Sequence, residues 1–141
     1  MLLTIDIGNT STVLAFFENN ELKHQWRIPS EINRQKAQLK AELESLSLQN
    51  QIILGGLGTV FISSVVPQLN PVYSDILSQF TGTQVHVISH QDFKELDIQV
   101  DYPDQVGTDR LLNAFAAYKI YGEDCIIADC GTATNIEVVT N

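Results

Sequence analysis

Basic residues are scarce in this chain: eight Lys plus Arg stand against seventeen Asp plus Glu, a formal charge of −9. Nucleic acid and anionic membrane surfaces both select a basic footprint, so this balance argues against either and points to small molecules or protein as partners. Cysteine is nearly absent. Cys125 and Cys130 stand alone, with no metal-ligand spacing to His24, His86 or His90, which argues against a zinc site or a disulfide and for small core residues in a reducing cytoplasm. No apolar run reaches membrane-spanning length. The opening Met1-Leu2-Leu3-Thr4-Ile5 lacks the basic start and small-residue cleavage site of a secretory leader, and Asp6 interrupts it early. Glycine clusters once, at Gly55-Gly56-Leu57-Gly58, with neither a following Gly-Lys-Ser/Thr nor G-x-G-x-x-G spacing, so it reads as a connector.

What is present is a chain of 141 residues, 44% hydrophobic, enough for one compact core. Leu2 to Ile7, Val13 to Phe17 and Leu22 to Ile28 are β-type runs joined by polar turns, an antiparallel meander. Ser30 or Asn33 is the candidate cap of a helix carrying Leu39, Leu43 and Leu46. Thr59 to Val66 reads as a buried strand. Asn70 as cap, Pro71 and Gly82 bracket a second helix whose Leu69, Val72, Tyr73, Ile76, Leu77 and Phe80 keep helical spacing. Val85 to Ile88 is a short strand. Ser89 to Val106 is too long and irregular for a plain connector, so it is a candidate site wall. A third helix starts at Gly107-Thr108-Asp109-Arg110, bears Leu111, Leu112, Phe115 and Tyr118, and stops at Gly122. Cys125 to Asp129 then reads as a buried strand, and Asn135 to Thr140 as its hairpin partner. The fold class is α/β with a mixed sheet and flanking helices. Ending on a strand, the chain is expected to be one lobe of a larger fold plus the start of a second, truncated one.

One pattern occurs twice. In Ile5-Asp6-Ile7-Gly8-Asn9-Thr10-Ser11-Thr12 and again in Ala128-Asp129-Cys130-Gly131-Thr132-Ala133-Thr134, an apolar run ends in Asp, and an apolar residue, a Gly and small polar residues follow. Each turn puts a carboxylate at a strand end and a glycine where backbone N–H groups can approach an anion. Two such turns would suit a polyphosphate and its cation. The alternative for either Asp is a carboxylate that serves only its own turn.

With Asp6-Ile7-Gly8-Asn9-Thr10, Pro103 through Val106-Gly107-Thr108-Asp109-Arg110, and Asp129-Cys130-Gly131-Thr132-Ala133-Thr134 in order, the sequence resembles the type III pantothenate kinases. These belong to the acetate kinase, sugar kinase, Hsp70 and actin superfamily. The resemblance implies two ribonuclease-H-like lobes: a first over residues 1–122, including an interlobe helix over 107–122, and the first hairpin of a second over 123–141. It implies ATP-dependent phosphorylation of pantothenate to 4'-phosphopantothenate, the first step toward coenzyme A. Mg²⁺, a monovalent cation (K⁺ or NH₄⁺), a homodimer and a cytoplasmic setting come with it. An alternative is a non-catalytic nucleotide-binding relative acting as a transcriptional accessory factor.

By that resemblance ATP lies along Asp6, Ile7, Gly8, Asn9, Thr10, Ser11, Thr12 and Val13, and at Gly131 and Thr132. Asp6 holds Mg²⁺ through water, and Asp129 holds the monovalent cation. Asp109 is the proton acceptor. Substrate is expected along Val100, Tyr102, Gly107, Thr108, Asp109 and Arg110. Val100 and Tyr102 stand where the family carries a Tyr and an Asn, and Asn135 where a Thr is usual. Read from residue chemistry alone, Thr108 or Asp109 caps the helix and Arg110 makes a surface ion pair. The helix N-terminus favours the charged form of Asp109, which makes it a weaker base, though late proton removal in a loose phosphoryl-transfer transition state asks little of it.

Overall fold

The computed structural model describes residues 1–131 and 133–140, which form two compact units, Met1–Val87 and Ile88 onward. The first is built on a five-stranded mixed sheet. Strands β1 (Leu2–Ile7), β2 (Ser11–Glu18) and β3 (Glu21–Pro29) form the antiparallel meander; after helix α1 (Lys36–Gln49), strand β4 (Thr59–Ser64) inserts parallel to β1. Helix α2 (Asn70–Thr81) then leads to β5 (Val85–Val87), parallel to β4, giving the order β3-β2-β1-β4-β5. Alternation along β1 turns Leu3, Ile5 and Ile7 into the core and leaves Asp6 exposed on the other face. Leu14, Phe16, Val60 and Ile62 join them, and α1 and α2 bury Leu39, Leu43, Tyr73, Ile76 and Leu77 into the same cluster.

Element boundaries depart from the sequence reading where side-chain chemistry is weakest. Helix α1 is capped at Gln35, not at Ser30 or Asn33, with Gln38 Oε1 accepting from the Gln35 N–H at 3.3 Å. Strand β4 ends at Ser64 rather than Val66, because Pro67 starts a 3-10 turn over Pro67–Leu69. Asn70 is therefore the first residue of α2 and not its cap, while Gly82 closes the helix at φ 68°, in the left-handed region that glycine occupies without strain.

In the second unit, 3-10 turns at His90–Phe93 and Pro103–Gln105 punctuate the long connection. Helix α3 (Thr108–Tyr121) follows, and the hairpin of β6 (Cys125–Cys130) and β7 (Thr134–Val139) packs against it. Because α3 belongs to this unit, the compact division falls earlier than the lobe boundary at residue 122 that the resemblance implies. The expectation of a buried β6 needs correction. Its residues alternate, and Ile126 is 73% exposed on the same face as Val138 and Ile136. Cys130 lies on that outer face, exposed and not core, while Cys125 is half-buried. Among the described residues no helix is long and apolar enough to cross a membrane.

Candidate functional site

The first Asp-x-Gly turn sits where the parallel pair ends. Register places Ser63 beside Asp6 and Ser64 beside Ile7, so the C-terminal ends of β1 and β4 meet at one edge of the sheet, the position where open α/β sheets bind ligands. The Gly8 N–H donates to the Ser11 carbonyl at 3.1 Å, and a Cβ on Gly8 would approach that oxygen to 3.2 Å, a tight contact that the turn must shift to relieve. Asn9 and Thr10 are exposed at its tip. Ser11 Oγ accepts from Arg27 Nη1 at 2.8 Å, and the Ser30 N–H donates to the Thr10 carbonyl at 3.0 Å.

Beneath the tip the sequence-named residues are supports. Ile7 and Thr12 are fully buried and Val13 is half-buried. The Thr12 hydroxyl shares a 2.8 Å hydrogen bond with Ser30 Oγ and another with Tyr73. Burial pushes the Tyr73 hydroxyl above its ordinary pKa, opposed by that Thr12 hydrogen bond. Only Asp6 and the Gly8-to-Ser11 stretch therefore present atoms outward. Ser63, Ser64 and Tyr73 were not singled out from the sequence; the signal for the serines was a pair of hydroxyl residues closing the Val60-Phe61-Ile62 run.

The second unit carries the other candidates. Gly107 is the extended N-cap of α3, followed by Thr108 and Asp109 in its first turn. No side chain caps the helix, although the Arg110 N–H donates to Asp109 Oδ1 at 2.8 Å as well as to the Gly107 carbonyl at 3.1 Å. Arg110 does not pair with Asp109. Its Nε donates to Glu137 Oε1 at 2.6 Å, and its Nη2 to the Ile136 carbonyl at 3.4 Å. One helical turn on, Asn113 Nδ2 donates to Asp129 Oδ2 at 3.2 Å, which ties the metal candidate on β6 to α3. The Gly131 N–H donates to the Ala133 carbonyl at 3.0 Å, two residues on, whereas Gly8 bonds three residues on. Thr132 lies outside the described residues.

A cavity of about 730 Å³ opens between residues 95–100, α3 and β7. Val100 and Arg110 both line it. Tyr102, 68% exposed, and Asp109 are not in its lining. Glu137 and Asn113 were missed by sequence reasoning. Their signal was a carboxylate inside the β-forming run Ile136–Val139 and an amide within the apolar stripe of α3.

Among the described residues no group of three or more His, Cys, Asp or Glu gathers to hold a metal. Mg²⁺ bound through phosphates and water needs only one or two carboxylates, and Asp6, exposed at a strand end beside Ser63, fits that demand. Asp129 offers a hard carboxylate oxygen to a cation, with its Oδ2 accepting from Asn113 Nδ2.

Comparison with solved structures defines the class. The chain superposes on a protein from Porphyromonas gingivalis described as an N-acetylglucosamine kinase, with a TM-score of 0.55 at 14% identity, over 99% of this chain and 44% of that one. The fold class is thus a mixed α/β sheet with flanking helices. Within that class the chain belongs to the type III pantothenate kinase family, whose model matches residues 2–141. Type III pantothenate kinases of Fervidobacterium nodosum and Brevibacillus brevis are 36% and 37% identical over 99% and 95% of this chain. The chain spans about half the length of these relatives, 54% and 52%.

Proposed function

We propose that this chain supplies the phosphate-turn unit and the acceptor-substrate helix of an ATP-dependent pantothenate kinase that forms 4'-phosphopantothenate. The observation that carries this reading is the family match over residues 2–141, which takes in all three motifs at once. The exposed Asp6 and the tight Gly8 turn at the carboxyl ends of β1 and β4 support a phosphate site. The first unit is read as a ribonuclease-H-like lobe and the α3–β6–β7 unit as leading into a second.

Phosphoryl transfer asks the protein for positioning, charge neutralisation and a proton acceptor. The Gly8-to-Ser11 backbone holds phosphate oxygens, with Thr10 and Ser11 hydroxyls at hand, and Gly131 and Thr132 contribute from the second turn. Asp6 would hold Mg²⁺ through water, and Asp129 a monovalent cation such as K⁺; when bound, these ions offset charge on the polyphosphate. Asp109, held by the Arg110 N–H, accepts the proton of the substrate's primary hydroxyl as the new P–O bond forms. Arg110 faces the substrate's anionic end with Val100 in the cavity wall. Two copies of the complete protein would form a homodimer.

A coupled ADP-release assay with ATP and Mg²⁺ tests this, with and without pantothenate and in K⁺ or Na⁺, on this chain and on one extended through the second lobe. Pantothenate-dependent, K⁺-stimulated turnover is expected from the extended chain. Asp109→Asn should lower it by about 10²- to 10⁴-fold with ATP binding retained. Turnover without pantothenate, or none from the extended chain, would overturn the assignment.

A further inference from the structure

We propose that Glu137 is the positioning residue of the acceptor site: it fixes the Arg110 guanidinium against β7, sets its orientation toward the substrate anion and keeps it off Asp109. This rests on the reading of Arg110 as a substrate contact.

Strand β7 turns a carboxylate inward. Its inward positions are Asn135, Glu137 and Val139, whereas Ile136 and Val138 point outward, 62% and 70% exposed. An apolar residue would be the economical choice at position 137, because a buried charge costs more desolvation than its partner usually returns, and apolar replacements of buried ion pairs are commonly no less stable. The carboxylate is nonetheless only 8% exposed, and its Oε2 has no hydrogen-bond partner among the described residues. Stability therefore does not account for it.

Geometry does. Arg110 directly follows Asp109, and a free guanidinium there would be drawn to the neighbouring carboxylate. Instead Nε is taken by Glu137 Oε1 at 2.6 Å and Nη2 by the Ile136 carbonyl at 3.4 Å. Two contacts from adjacent residues of one strand fix the plane of the guanidinium. Its remaining donors are left for the cavity that Arg110 and Glu137 both line. Asp109 stays bonded to a backbone N–H rather than neutralised by a cation. A lysine at position 110 could not reproduce this arrangement, since an ammonium has no planar fork.

The test has one arm that needs no substrate. In ¹H–¹⁵N spectra of the 141-residue chain, the Arg110 Nε–H should be protected from solvent exchange. Glu137→Gln, the same shape without charge, should speed that exchange by about tenfold or more. Glu137→Asp, which retains the charge, should restore most of the protection, and it remains informative if the Gln variant fails to fold. The second arm reads steady-state kinetics of the extended chain. Glu137→Gln should raise the pantothenate KM about tenfold while the ATP KM stays put, and Glu137→Asp should recover it. Unchanged Arg110 exchange in Glu137→Gln would overturn the proposal, and so would lost protection with an unchanged pantothenate KM. If the parent protein shows no pantothenate dependence but the exchange difference holds, the pantothenate reading fails and the ion pair does not.

Discussion

The two Asp-x-Gly turns are alike in grammar, but Gly8 bonds the carbonyl three residues on at 3.1 Å and Gly131 the one two residues on at 3.0 Å, and they rest on different foundations. The first tops a strand with a hydrogen-bonded neighbour on each side and a core of fully buried Leu3, Ile7, Val60 and Ile62 below. The second joins a lone pair of strands whose outer face exposes Ile126, Ile136 and Val138. A shared grammar therefore does not bring a shared support: the first turn is backed by residues far away in the chain.

Core truncation should separate the two most strongly. Ile62→Ala is expected to destabilise the first unit by about 2–5 kcal/mol in chemical denaturation, because the cavity it leaves cannot collapse. Equal losses from Ile62→Ala and from Ile136→Ala would break the comparison. Next come the turn glycines. Gly8→Ala brings a Cβ to 3.2 Å from the Ser11 carbonyl and should cost about 1–3 kcal/mol by overpacking, whereas at Gly131 the nearest oxygen is 3.7 Å away and alanine should fit. Melting of both variants, followed by ATP titration, checks the order.

A smaller effect is expected beneath the first turn. Tyr73→Phe removes the bond to Thr12 and should cost about 0.5–1.5 kcal/mol. It also carries a pH signature. Burial raises the Tyr73 pKa, so the neutral phenol's contribution is fully present below the ordinary value of 10.0 and is lost as pH rises through the folded-state value. Parent and variant should therefore converge in stability above pH 10.0, and a constant gap there would discount the buried hydroxyl. Smallest of all, Ile136→Ala should change stability by no more than about 0.5 kcal/mol, since that side chain is already in water.

Much of this was legible beforehand. The bounds of β1, the spacing of α2 with Gly82 behind it, and the start of α3 after Gly107 all follow from periodicity and terminal residues, which act over a few positions. The cap of α1 was not legible, because Gln35 lacks the short side chain that favours capping and Ser30 and Asn33 looked better. Strand β6 misled for another reason: an apolar run announces burial on both faces only if both faces are covered, and Cys130 turned outward. In the candidate site, Asp6 and Arg110 stood out by motif. Glu137 and Ser63 did not, since each earns its place through a partner 27 or 57 positions away, Arg110 in one case and Asp6 in the other.

The parallel pairing of β1 with β4 also has a kinetic consequence. Leu2 must find Thr59, so the sheet cannot close until α1 and the Gly55-to-Gly58 connector have let the chain return, and such distant contacts slow folding. The β6–β7 hairpin needs only its own turn and belongs to a class of events completed in about 1–10 μs. Closing the β1–β4 edge, where Asp6 comes to lie beside Ser63, should then be the slow step in folding the first unit. Substitutions at the β1–β4 contact should slow refolding, whereas those in the hairpin should leave its rate unmoved.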